Sequence, residues 1–200
     1  MRLRTLSAAA ILISAMISCS SPTAGKSEFT KKELSLIHST DSIMRVLTID
    51  APGDYAILRA KSSDLSSAAL LSEDFSTLAK LMVSTVTHPS QDGVGIAGPQ
   101  VGLNRRVVAV QRFDKEGEPF EVYPNIKIVW ASDSLASGPE GCLSVPGMRG
   151  EVMRSQEIVI EYDSISESVE TVRDTISGFT AVIFQHEVDH LDGVLYIDRL

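Results

Sequence analysis

Cysteine is nearly absent from this 200-residue chain: only Cys19 and Cys142 occur, too few for a disulfide framework. Positive charge is also in deficit. Lys and Arg total 18 against 26 Asp and Glu, a formal charge of −8, and no basic run or basic-aromatic interleaving offers a face for phosphates. Nucleic acid is therefore not an expected partner. A bilayer-spanning stretch is missing too, because the apolar run from Leu6 to Ile17 falls short of the ~20 residues that a membrane-crossing helix needs. What is present is 44% apolar residues, enough to bury a core, at the upper end of single-domain size.

That short N-terminal run has another reading. Arg2 and Arg4 precede it, Ser18 is a small residue at its end, and Cys19 is followed by Ser20, Ser21, Pro22, Thr23, Ala24 and Gly25. The pattern resembles a bacterial lipoprotein signal over residues 1–19, with a flexible tether over 20–30. Met16-Ile17-Ser18-Cys19 departs from such signals in lacking Leu at its first position. The expectation is an exported protein anchored in the bacterial cell envelope, touching membrane only through a lipid on Cys19; the alternative is a cytoplasmic chain whose first residues form a buried helix. If Cys19 is acylated, Cys142 has no disulfide partner. A lone thiol in an exported chain then needs another role, and a metal supplies one.

Along the rest of the chain, Leu34, Ile37, Ile43, Met44 and Leu47 allow a short helix within 31–47, with a break and new cap at Ser39-Thr40-Asp41. Ser72 before Glu73 and Asp74 starts a helix carrying Leu78, Leu81, Met82 and Val86, and His88-Pro89 stops it. Residues 105–112, 120–130, 156–163 and 168–176 are β-branched runs that predict antiparallel strands, and in 156–163 Ile158, Ile160 and Tyr162 alternate with Val159, Glu161 and Asp163, so one face is the more polar. From Phe179 to Leu191 the spacing is helical, with Gly193 as C-terminal cap. The class is α+β, with small antiparallel sheets packed around a late helix.

That helix carries His186-Glu187-Val188-Asp189-His190, an H-E-x-x-H motif. Two histidines four apart project from one helix face toward a shared ion, and Glu187 is placed to take a proton from water without binding the metal. A catalytic site needs a third protein ligand and an open position. No glutamate lies among the residues after His190, and Tyr196 stands where H-E-x-x-H-x-x-G-x-x-H would require histidine, so the third ligand comes from upstream. His38, His88, carboxylates and Cys142 are the candidates. Cys142 stands out, since a thiolate binds borderline ions tightly and its neighbours form a sharp loop.

Three segments, Gly93-Val94-Gly95-Ile96-Ala97-Gly98-Pro99-Gln100, Glu140-Gly141-Cys142-Leu143-Ser144 and Gln185-His186-Glu187-Val188-Asp189-His190, resemble in kind and order the three motifs of the peptide deformylases. The resemblance covers roughly Ser72 to Leu200. It implies one catalytic domain over 31–200, with 31–71 a divergent extension, that hydrolyses formyl-methionyl peptides to formate. It implies one divalent ion on Cys142, His186 and His190, Fe2+ by family habit, although Zn2+, Ni2+ or Co2+ suit the same ligands. Glu187 would move the proton, while Gln100 and the Leu143 backbone N–H hold the oxyanion. Gly93, Val94 and Gly95 would receive the substrate as an added strand, with Val94, Val182 and Ile183 walling an apolar pocket. Pro124-Asn125 reverses the order common in a family strand, so a local reshaping is expected there. The rival functions are a metallopeptidase or amidase of other specificity, and an inactive formyl-peptide binder; intact Glu187 and Gln100 argue against the latter.

Overall fold

The computed structural model describes residues 26–200; the expected signal over 1–19, and the tether up to residue 25, lie outside them. Helix α1 (Lys31–Ile37) begins in a capping box, Thr30 Oγ1 accepting from the Glu33 N–H at 3.3 Å and the Glu33 carboxylate from the Thr30 N–H at 2.7 Å. Ser39-Thr40-Asp41 does not start a second helix, contrary to expectation. The amides beyond it take distant acceptors: Met44 N–H donates to Thr85 Oγ1 (2.9 Å), Leu47 N–H to Gln100 O (2.8 Å) and Ile49 N–H to Ser144 O (2.9 Å). Two short helices that sequence reading missed follow, α2 (Pro52–Leu58) and α3 (Ser67–Leu70).

Helix α4 (Glu73–Val86) matches its sequence signals. Ser72 Oγ accepts from the Phe75 N–H, Glu73 and Asp74 sit at the positive end of the dipole, and Phe75, Leu78, Leu81, Met82 and Val86 are buried.

Eight strands follow: β1 (Gly95–Ala97), β2 (Val107–Gln111), β3 (Phe120–Pro124), β4 (Lys127–Ala131), β5 (Leu135–Cys142), β6 (Val145–Ser155), β7 (Glu157–Ile165) and β8 (Val169–Ser177). They make two antiparallel three-stranded sheets, ordered β1-β2-β3 and β4-β7-β8, and the hairpin β5-β6. The run 120–130, expected as one strand, is two strands in different sheets. Asn125 lies between them at φ 54°, a left-handed conformation that asparagine tolerates and β-branched residues resist.

Strand β2 is buried on both faces. Val107 and Ala109 pack on α4, while Val108 and Val110 face helix α5 (Gly178–Leu191), which is covered on another side by Ile158, Ile160 and Ile176 of the second sheet. The late helix therefore sits between sheets, as the α+β reading expected. Gly193 at φ 73° terminates it, its N–H donating to His190 O at 3.1 Å. Among the described residues no helix is long and apolar enough to cross a membrane.

The polar face expected on β7 ends before Asp163. This carboxylate is 3% exposed and accepts from Lys26 Nζ (2.6 Å), Asn125 Nδ2 (2.7 Å) and Thr171 Oγ1 (2.7 Å). Asn125 also holds residue 65, its Oδ1 accepting from the Leu65 N–H at 2.7 Å and its Nδ2 donating to Leu65 O at 2.8 Å. Replacing Asn125 by alanine removes these bonds and keeps the left-handed backbone, so unfolding stability should fall by about 2–4 kcal/mol. Glycine relieves the backbone and should cost about 1 kcal/mol less; urea titrations of both variants followed by circular dichroism check the order.

Candidate metal centre and peptide cleft

Because α5 lies inside the fold, its polar side chains must be satisfied by protein rather than by bulk water. The C-terminal half of the helix faces the Leu143-Ser144 turn of the β5-β6 hairpin. Cys142 closes β5 there, its Sγ 3.2 Å from His190 Nε2, and one ligand atom from each of Cys142, His186 and His190 falls within 4.8 Å of the others. The other two histidines lie elsewhere, His38 against Asp74 at 2.7 Å and His88 against Ser90 at 2.8 Å.

The surroundings suit a cation held by this trio. His186 Nδ1 meets Glu140 Oε2 at 2.8 Å, which leaves Nε2 for the cluster, the usual arrangement of a ligating histidine backed by a carboxylate. Burial disfavours charge on His186, yet its contacts with Cys142 and Glu140 outweigh that and raise its pKa to about 10. The thiol and the carboxylate beside this ring thus draw positive charge, and an ion held at Nε2 would take the place of the proton there. Burial, joined by the charge of His186, pushes His190 well below the usual histidine range and keeps it neutral, the form that binds metal.

Glu140 is buried, and against the cost of burial Arg154 and His186 hold it down at about 2. Arg154 donates to both its oxygens (2.7 and 3.0 Å) and to Asp189 Oδ2 (2.6 Å), and Arg199 grips Asp189 in turn. Sequence reading quoted Glu140 and Asp189 within the motifs without giving them roles, and passed over Arg154. Strand alternation was the available signal for Glu140, since a residue two before Cys142 shares its face.

Glu187 is 4% exposed, and its Oε2 has no hydrogen-bond partner among the described residues. Burial first, then the charge of Glu140, lifts it to about 7 against the pull of His186 and Arg154. Its space is made by Gly95, where a Cβ would stand 2.5 Å from Glu187 Oε1 and 2.9 Å from Ile183. Gln100, 1% exposed, is fixed by a 3-10 turn over Gly98–Val101. Its Oε1 accepts from the Ala97 N–H (2.8 Å), and its Nε2 points at Ser144 Oγ (3.3 Å) and Cys142 Sγ (3.6 Å).

These groups line one cleft of about 860 Å³, with Gly93, Val94 and Gly95 on one wall, Leu143 and Arg149 on the hairpin side, and Val182 and Ile183 along α5. Strand β1 is an edge strand of its sheet; the Ala97 N–H on its outer side is taken by Gln100 Oε1, and the stretch before it is where an extended chain could be added. Eight of the nine residues singled out for the site line this space: Cys142, His186, Glu187 and Gln100, with Leu143 at the turn and Gly93-Val94-Gly95 opposite; His190 lies buried behind it, joined to Cys142 and His186 in the cluster.

Comparison with known proteins points to one family. The polypeptide deformylase family profile matches residues 43–200, starting earlier than the Ser72 at which the motif resemblance began. The peptide deformylase of Leptospira biflexa is 39% identical over 166 residues, 80% of this chain and 88% of its own. Peptide deformylase 1B of Arabidopsis thaliana is 40% identical over 148 residues, 72% of this chain and 50% of its own. Among solved structures, the class I type b peptide deformylase of Acinetobacter baumannii bound to Met-Ala-Ser superposes with a TM-score of 0.70 at 33% identity, covering 80% of this chain and all of that one. The Thermotoga maritima peptide deformylase gives 0.68 at 31% identity, covering 79% and 97%. With the profile spanning most of its length and relatives of this identity in both sequence and structure, the chain belongs to the polypeptide deformylase family.

Proposed function

We propose that this protein removes the N-formyl group from formyl-methionyl peptides, releasing formate and a free N-terminal methionine. The observation that carries the reading is the unpartnered, buried carboxylate oxygen of Glu187 beside the Cys142-His186-His190 cluster at the floor of a cleft with a strand edge. Cys142, His186 and His190 would hold one divalent ion, Fe2+ by family habit with Zn2+, Ni2+ or Co2+ also suited to the donors; when bound it supplies Lewis acidity toward the formyl oxygen and the attacking water.

The protein's own groups do the rest. The substrate backbone lies along Gly93-Val94-Gly95 as an added strand, and the methionine side chain enters between Val94, Val182 and Ile183. Gln100 Nε2 and the Leu143 backbone N–H donate to the oxygen that becomes negative. Glu187 takes the proton of the attacking water and returns it to the departing amine. Glu140 and Arg154 keep the His186 ring oriented throughout.

The domain reading is a single catalytic unit over 31–200, and residues 43–49 belong to its working core because they tie the Gln100 turn to the Ser144 turn. The Arg2-to-Cys19 pattern supports an envelope lipoprotein that acts on formylated peptides outside the cytoplasm.

Glu187→Ala should lower kcat for formate release by about 10²–10⁴-fold with metal content unchanged. A variant that still releases formate at the parental rate overturns the proton-transfer role, and an unblocked peptide cleaved in preference to formyl-Met-Ala-Ser turns the reading to a metallopeptidase. Cys142→Ala should purify with little bound metal by elemental analysis, and chelation of the parent protein should abolish activity that ferrous or zinc ions restore. Fractionation with labelled fatty acid should find acylated protein in membranes; soluble protein retaining Met1 removes the envelope assignment.

A further inference from the structure

A second groove of about 700 Å³ runs beside the peptide cleft, beneath the start of the hairpin, and Ser132, Ser134, Ala136, Ser155 and Gln156 line it. The two spaces share a wall. Phe179 and Val182, from the first turns of α5, border both. On the hairpin side Ala136 borders the second groove and Glu140 the peptide cleft, and strand alternation puts residue 138 between them on the same face. That residue is Gly138, and a Cβ built there would meet no atom within 4 Å. On β5, then, no side chain stands at residue 138 between the cleft and the serine-lined groove; across from it Arg154 of β6 borders the groove and bonds to Glu140 of the cleft.

We infer that the pocket for the first side chain continues past Gly138 and Val182 into this groove, so that the enzyme accepts formyl peptides whose first side chain is unbranched, longer than methionine and polar at its end. The stem of such a side chain crosses the apolar stretch made by Val182 and Phe179. Its polar end then reaches hydroxyls whose protons are already committed, Ser132 Oγ donating to Ser134 O (3.1 Å), Ser155 Oγ to Ser132 O (2.8 Å) and Ser134 Oγ to Gln156 Oε1 (2.9 Å). Ser132 Oγ already accepts from the Glu157 N–H (3.2 Å), but Ser134 Oγ and Ser155 Oγ keep lone pairs for an N–H donor, and the Gln156 amide nitrogen is left to meet a carbonyl. A terminal secondary amide offers both groups. Gly138 is in this view a specificity-determining position for the reaction, and a side chain there would close the passage.

The proposal rests on the deformylase reading, and two substrates separate their fates: formyl-Met-Ala-Ser, and the same peptide with Nε-acetyllysine in place of methionine. Wild-type protein should process the acetyllysine peptide with kcat/KM within about tenfold of the methionine peptide. Gly138→Leu should lower the ratio of the two kcat/KM values at least tenfold, through KM of the longer substrate, and Gly138→Ala should lower it less. Circular dichroism establishes that each variant is folded; if the leucine variant is not, the alanine variant alone decides through the same ratio. Wild-type activity on the methionine peptide with none on the longer one overturns the passage and leaves the deformylase reading standing, as does an unchanged ratio in the folded variants. Failure of the wild type on both peptides overturns the reading and the passage together.

Discussion

The carboxylate of Glu140, buried between His186 and Arg154, is the contact on which the geometry of this site depends. It joins the hairpin to the helix, alongside the Arg154–Asp189 pair and the Ser155–Gln185 bonds, and it does so at the His186 ring, whose Nε2 is left to face the cluster. A buried ion costs several kcal/mol of lost hydration, which only close, multiple pairing offsets. Glu140 has that pairing in two bonds from Arg154 and one contact with His186, and Arg154 is in turn steadied by Asp189, itself gripped by Arg199. Removing Arg154 would leave the buried Glu140 carboxylate with His186 as its one remaining partner. The chain therefore acts as a single clamp that fixes where Cys142 stands relative to α5.

The same clamp explains a hairpin that its own sequence hardly supports. Strand β5 holds Gly138, Pro139 and Gly141, residues of poor strand propensity, which is why sequence patterning did not find it. Its partner β6 is anchored from below, Val145 and Val152 packing with Leu195 and Tyr196 beyond α5. Tertiary contacts and one buried ion pair thus decide a structure that local preference leaves open. Where local signals were strong, in the Ser72 cap of α4 and the helical spacing of α5, reading and structure coincide. Where the deciding partner lies far along the chain they part, as at Ser39-Thr40-Asp41, whose following amides bond to Thr85, Gln100 and Ser144.

The candidate site groups were legible for a different reason. Chemistry at one point restricts residue type and spacing tightly, so H-E-x-x-H, the Cys142 loop and the glycine-rich segment stand out in a sequence even when the strands that carry them do not. The supporting groups carry no such restriction. Arg154 could be any surface arginine until Glu140 and Asp189 are seen on either side of it, separated from it by 14 and 35 positions.

Gly95 links the cleft to the chemistry. A proton-transfer group must sit within hydrogen-bond reach of the reacting amide, yet the backbone that binds the peptide must also run close by, and the two demands compete for the same volume. Here the competition is settled by removing a side chain: the carboxylate of Glu187 occupies the space where a Cβ of residue 95 would be. A peptide paired with the outer edge of β1, as proposed, would thereby be carried past Glu187 rather than held away from it. Burial of that carboxylate follows from the same closeness, since Gly95 and Ile183 cover what water would otherwise reach, and its raised proton affinity is a consequence of the strand's position. The glycine, the strand edge and the carboxylate are one geometric solution, so under the proposed mechanism a change at any of them would alter both how the peptide lies and where the proton can go.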